Sequence, residues 1–231
     1  MSALTDQIAD LLAGAAGRAG TVGAGEPGVA IGIYRDGELT EQVCAGLAVV
    51  EHAVPVTADT RFDIASASKH FTAACLLLLQ RDGRLDLSTD IRDYLPELAL
   101  LTPVTLRQCL THTAGLREYY TLCAISGVPL AEISEGRLIR LIAGQRDLDF
   151  EPGTAYSYSN SGYMLAAAVI RRLTGQSVTR YAAEHIFGPL GMNRTQFRDD
   201  LGALVPRLAN GYAHDPGTPG WLRPADPNEH C

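Results

Sequence analysis

The pattern of this chain changes character at Ser66, and the change limits the folds open to it. Upstream, residues 29–34 read as a strand, Asp36-Gly37 as a tight turn, and residues 39–45 as the returning arm of a hairpin. A further extended piece, residues 53–62, carries Pro55. Downstream, apolar residues recur at helical spacing. Helices are predicted over 67–81, near 89–94, from about Thr105 to Gly115, over 134–143 with Ser134 as N-cap, over 164–173 and over 178–187. Asp82-Gly83, Pro96, Gly175 and Gly188-Pro189 supply the stops. A short helix starting near Thr5 and a Gly-rich linker over 21–28 precede the hairpin, and residues 201–231 are rich in Pro, Gly and Asp with little periodicity.

At the point of change stands Ser66-Ala67-Ser68-Lys69. A serine three residues ahead of a lysine is a weak signal alone. It sharpens against the 19 Lys+Arg residues, because Lys69 is the only lysine and every other one is arginine. Arginine stays protonated in proteins, whereas a lysine amine can act as a base. A serine hydroxyl needs such a base to become a nucleophile, and i, i+3 spacing sets both side chains on one helix face. A serine in the first helical turn also offers its backbone N–H to a developing oxyanion. The plain alternative is an accidental surface lysine. Ser68 competes less well, since it has no lysine three residues on.

Composition removes other classes of function. Hydrophobic content of 46% and charge of 19% suit a folded globular chain. A net charge of −7, a pI near 5.3 and arginines scattered singly apart from Arg171-Arg172 argue against a nucleic-acid partner on electrostatic grounds. No run of apolar residues approaches a membrane span. Residues 1–20 lack the basic region and apolar core of a secretory signal, so a cytoplasmic location is expected, or a secreted or periplasmic one if a signal has been removed. Cys44, Cys75, Cys109, Cys123 and Cys231 are odd in number and widely spaced, as reduced and mostly buried cysteines are. No metal or other cofactor is implied.

A second polar cluster, Tyr156-Ser157-Tyr158-Ser159-Asn160, lies just ahead of the predicted helix 164–173. A phenol near an ammonium can shuttle protons, and an amide can orient a lysine or bind a substrate carbonyl. Equally, the segment reads as an ordinary helix entry with Asn160 as N-cap.

Taken in order, Ser66-x-x-Lys69, Leu110-Thr111-His112-Thr113-Ala114-Gly115-Leu116, Pro152-Gly153 with Tyr158-Ser159-Asn160-Ser161-Gly162-Tyr163, and Pro189-Leu190-Gly191-Met192 resemble the motifs of the serine β-lactamase-like family over roughly residues 27–212. That family includes class C β-lactamases, D-Ala-D-Ala carboxypeptidases, D-aminopeptidases and esterases. The resemblance implies an α+β fold of β-lactamase/transpeptidase type, with an antiparallel sheet flanked by helices and a mostly helical subdomain. It implies Ser66 as the acylated nucleophile, Lys69 as its base, Tyr158 as proton shuttle and Asn160 as a substrate contact. His112 is expected to pack structurally beneath the site, and His70 to face elsewhere.

The family's third motif, K-T-G or H-x-G on a strand lining the cleft, has no match after Asn160. Two strands alone are marginal in water, and an open edge seeks a partner. The expectation is one domain without its C-terminal strands, made of a helix and hairpin (1–62), a largely helical region with both motifs (63–200) and an irregular tail (201–231). Its edge would invite self-association or a partner chain. Three functions follow in order. The first is a serine hydrolase forming an acyl-enzyme on an ester, amide or β-lactam carbonyl of a small molecule or short peptide. The second is a catalytically silent truncated fragment, or one piece of a two-piece protein. The third is a non-catalytic binding protein on the same fold.

Overall fold

Asp36-Gly37 does what its sequence demands: both residues take left-handed φ, 51° and 85°, as a two-residue hairpin turn of the type that matches strand twist requires. In this computed structural model, which describes residues 3–12, 22–23, 25–98, 102–129, 133–145, 147–199, 203–214 and 220–222, the turn joins β1 (Val29–Arg35) to β2 (Glu38–Ala45). The pair is antiparallel from Val29↔Ala45 to Arg35↔Glu38, with a bulge at Ile33/Tyr34. The hairpin belongs to the first of two units, residues 1–66 with 202–231. Helix α1 (Ala3–Leu12) lies against β2, its Thr5 hydroxyl bonded to the Glu41 carboxylate. Thr21 and Ala24 of the expected linker and Cys231 lie outside the described residues.

The piece expected to be extended over 53–62 is mostly not a strand. β3 (Leu47–Val49) turns through a 3-10 segment, Val50–His52, into β4, which covers only Val54–Pro55. Pro55 has no N–H to continue a ladder, so pairing stops there. The same unit is closed from the other end of the chain. Arg61 N–H donates to Arg207 O at 2.9 Å, Ala209 N–H returns to Arg61 O at 2.8 Å, and Asn210 N–H reaches Ala48 O at 2.9 Å. The Val50 N–H donates to the Tyr212 hydroxyl at 2.8 Å, and β5 (Ala213–His214) pairs with β6 (Trp221–Leu222).

The second unit, residues 67–201, is helical. It comprises α2 (Lys69–Arg81), α3 (Leu106–Leu110), α4 (Tyr119–Ser126), α5 (Glu135–Ala143), α6 (Ser161–Thr174) and α7 (Val178–Ala182), the last continuing as a π-turn over Ala183–Phe187. Their apolar faces converge on Leu76, Leu79, Leu98, Leu106, Ile142, Leu165, Val169 and Ile170, all essentially buried. Local chemistry sets the ends. Thr105 and Gln108 form a capping box on α3, Ser134 and Ser177 cap α5 and α7, and Gly175 ends α6 in left-handed φ.

Several boundaries differ from the sequence pattern. The helix expected from residue 67 begins at Lys69, after a 3-10 turn over Ala65–Ser68. The helix expected near 89–94 is a 3-10 turn, Ile91–Asp93, capped by the Asp90 carboxylate accepting from Arg92 N–H at 3.0 Å. α3 ends at Leu110 because His112 turns left-handed, φ 57°. α4, opening on Tyr119-Tyr120-Thr121, has no helical signal strong enough to announce it.

α6 meets α3 through Gly162, where an added Cβ would lie 2.8 Å from Cys109 O. That atom is backbone and cannot swing aside. Gly162→Ala is therefore expected to cost about 1–3 kcal/mol as an overpacked contact, read as a lower denaturant midpoint at unchanged m-value. A midpoint equal to the wild type would show that α6 can slide on α3.

Candidate active site

Four chain segments of the helical unit bring polar side chains to one place. They are the start of α2 with Lys69, the turn after α3 with His112, the start of α4 with Glu118, and the loop before α6 with Tyr158 and Asn160. Lys69 Nζ donates to Asn160 Oδ1 at 2.6 Å. The amine also lies 5.0 Å from the Tyr158 ring centroid and 5.5 Å from that of Tyr163, within range of cation–π attraction. The Tyr158 hydroxyl reaches the same Asn160 oxygen at 3.5 Å, and the residue is 44% exposed, enough for its phenol to meet an incoming molecule.

Asn160 holds the N-cap position of α6, yet its side chain does not cap the helix. Ser159 does that work instead, its Oγ accepting from Ser161 N–H at 3.2 Å. Asn160 is thus the N-cap by position, as the helix-entry reading expects, while its amide faces Lys69 instead of capping the helix. Ser161, fully buried, donates its hydroxyl to Arg117 O at 2.6 Å and pins the helix start.

Ser66 lies in the 3-10 turn Ala65–Ser68, exposed, with Ala67 and Ser68 between it and Lys69. Ala65 just ahead of it has φ 45°. A non-glycine residue in that region carries strain of order 1 kcal/mol or more, a kind that clusters at functional sites. His70, next to Lys69, is exposed with Nδ1 2.9 Å from Ala67 O.

His112 sits under the tyrosines, its ring centroid 4.5 Å from that of Tyr158, 5.5 Å from Tyr163 and 5.9 Å from Tyr156. Its carbonyl accepts from Ser157 N–H at 3.0 Å and its Nδ1 from Ser159 N–H at 3.2 Å. Burial, with the Lys69 charge adding, holds its pKa below the ordinary histidine range. The ring is thus neutral with the proton on Nε2, and it shapes the loop that carries Tyr158. The Tyr163 hydroxyl donates to Leu110 O at 3.1 Å, and burial raises its pKa.

Glu118 escaped the sequence reading. It caps α4 through Tyr120 N–H at 3.3 Å, and accepts from the Asn160 backbone N–H and from Asn160 Nδ2 at 3.3 Å. Its one sequence signal is an acidic residue two positions after the Leu110–Leu116 motif, which by itself means little.

Among the described residues no group of three or more His, Cys, Asp or Glu could hold a metal, and no helix is long and apolar enough to cross a membrane. Cys44, Cys75, Cys109 and Cys123 are free thiols, and burial pushes Cys75 up to about 11 and Cys109 to about 12.

The family pattern described as Beta-lactamase matches residues 8–230. This chain belongs to the beta-lactamase family. It is 36% identical over 189 residues to a D-aminopeptidase of Gluconobacter oxydans, covering 80% of this chain and 35% of that protein. The beta-lactamase-family chain thus spans about a third of that relative's length. Among solved structures it is similar to the D-amino acid amidase from Ochrobactrum anthropi SV3 complexed with L-phenylalanine amide, at TM-score 0.71 and 29% identity, covering 85% of this chain and 56% of that one. It is also similar to EstCE1, a hydrolase with promiscuous acyltransferase activity, at TM-score 0.72 and 26% identity, covering 85% and 54%. The fold is α+β and β-lactamase/transpeptidase-like.

The environment of His112 gives a signed pH effect. Its folded pKa lies below the unfolded value near 6.5, so on acidification the unfolded chain takes up the proton first and folding loses stability. His112→Asn tolerates the left-handed φ and removes this titration. The wild type is expected to lose more thermal stability than His112→Asn between pH 7 and pH 5, measured by melting at both pH values. Equal losses would show that His112 does not contribute.

Proposed function

We propose that this chain carries the catalytic machinery of a serine hydrolase that works through an acyl-enzyme on small ester or amide substrates, with D-amino-acid amides and short peptides as the first class to try. The observation that carries this reading is the placing of the sole lysine, three residues after Ser66 in the chain, 2.6 Å from Asn160 Oδ1 with the Tyr158 ring centroid 5.0 Å away. Similarity to a D-aminopeptidase, a D-amino acid amidase and a hydrolase with acyltransferase activity supports the substrate class.

In this mechanism Ser66 Oγ attacks the carbonyl carbon while Lys69, having first released a proton to solvent, takes the hydroxyl proton. Asn160 and the two tyrosine rings hold that amine in place through the transfer. As the tetrahedral adduct collapses, the bond to the leaving amine or alcohol breaks and Tyr158 hands a proton to it, regaining one from Lys69. Water then attacks the Ser66 ester by the same route reversed, releasing the acid and restoring the hydroxyl. One N–H of Asn160 Nδ2 is given to Glu118, and the role proposed for the second is to donate to a substrate carbonyl.

The test is the intact mass of the purified 231-residue chain after incubation with a fluorophosphonate and, separately, a penicillin, with peptide mapping of any adduct. A stoichiometric fluorophosphonate adduct on Ser66 is expected, slowed about 10²- to 10⁴-fold in Lys69→Ala and in Lys69→Arg, the range for loss of a general base. Lys69→Arg separates charge from basicity, since arginine keeps the cation and cannot give up its proton. A folded chain that takes no adduct would sink the claim that these residues act without further protein.

A further inference from the structure

The roles above leave Glu118 without one. One of its carboxylate oxygens accepts from the Asn160 backbone N–H, and the other accepts from Asn160 Nδ2 at 3.3 Å while also capping α4 at Tyr120 N–H. An amide side chain has an acceptor end and a donor end, and a half-turn exchanges them. With Nδ2 tied to a carboxylate, Oδ1 is turned toward Lys69, where it accepts at 2.6 Å. The reversed amide would set its NH2 against the amine and its oxygen against the carboxylate, so both contacts would join like with like. Either mismatch at a half-buried site leaves polar groups unpaired.

We propose that Glu118 is a positioning residue that fixes which way the Asn160 amide points, and so where the Lys69 amine is held. It acts through Asn160 rather than on the substrate. Only the kinetic part of this inference rests on the hydrolase reading. The geometry stands on the contacts among Glu118, Asn160 and Lys69.

Because Lys69 is the sole lysine, lysine labelled with 13C at Cε and 15N at Nζ gives a single side-chain signal from the site. That signal and the rate of Ser66 phosphonylation are measured in a cycle of wild type, Glu118→Gln, Asn160→Ala and the double variant. Glutamine keeps the shape but has one oxygen for three donors, so its NH2 must face either the Asn160 backbone N–H or both Asn160 Nδ2 and Tyr120 N–H. In the wild-type background Glu118→Gln is expected to move the Lys69 signal and slow phosphonylation about tenfold, with the half-saturating concentration of reagent unchanged. In the Asn160→Ala background it should change neither by more than a small fraction of that, the non-additivity expected of two residues acting as one. Equal effects in both backgrounds would overturn the proposal, since Glu118 would then act by its charge or through α4 alone. If Glu118→Gln loses its helical signal, Glu118→Asp, with the same charge and shorter reach, replaces it in the cycle under the same criterion. Absence of labelling in the wild type would sink the claim that these residues act without further protein, while the Lys69 signal would still decide the role of Glu118.

Discussion

The 2.6 Å contact between the Lys69 amine and Asn160 Oδ1 joins the first residue of α2 to the residue that precedes α6. Those two helices also share the core, through Cys75, Leu76 and Leu79 on one side and Leu165, Val169 and Ile170 on the other. Apolar burial supplies the bulk of the free energy that brings the helices together. Burial is indifferent to small rotations about a helix axis, whereas a short charge-assisted hydrogen bond at the helix ends is not. The core thus brings the helices together, and the Lys69–Asn160 bond ties the start of one to the start of the other.

Around that contact, each neighbour is fixed by a group that has another duty. Ser159 caps α6 and thereby frees Asn160. His112 receives the Ser159 N–H and packs under Tyr158. Gly162 lets α6 approach α3 closely enough for the loop ahead of it to reach His112. The site is built on helix ends, where backbone donors are exposed and short side chains compete for them, so one loop can carry both a helix cap and a lysine partner.

That Lys69, Tyr158 and Asn160 would gather in one place was legible in the sequence where residue type narrows what a side chain can do. A single lysine among arginines, one turn past a serine, is such a case, and the spacing of Tyr158 and Asn160 ahead of a helix is another. The hairpin was equally legible, since Asp36-Gly37 specifies its turn. What stayed hidden depends on contacts between distant segments. Glu118 meets Asn160 because α4 starts beside that residue, 42 positions further along the chain, and no local pattern encodes that. Residues 207–212 run alongside 48–61 through backbone bonds and through side chains such as Tyr212 on Val50 N–H and Arg207 on Asp59, pairings between distant segments that no local pattern announces. The start of α2 was placed two residues early because Ala67 and Ser68 suit a helix as well as a 3-10 turn.

The setting of Lys69 has a consequence for reagents. A reactive ester or aldehyde that modifies side-chain amines has one lysine to find in this chain, and that amine is half-buried, bonded to Asn160 and screened by Tyr158 and Tyr163. On most proteins such reagents decorate the surface at random. Here they act as probes of one position, and immobilising or tagging the folded protein through lysine would address its candidate active site first.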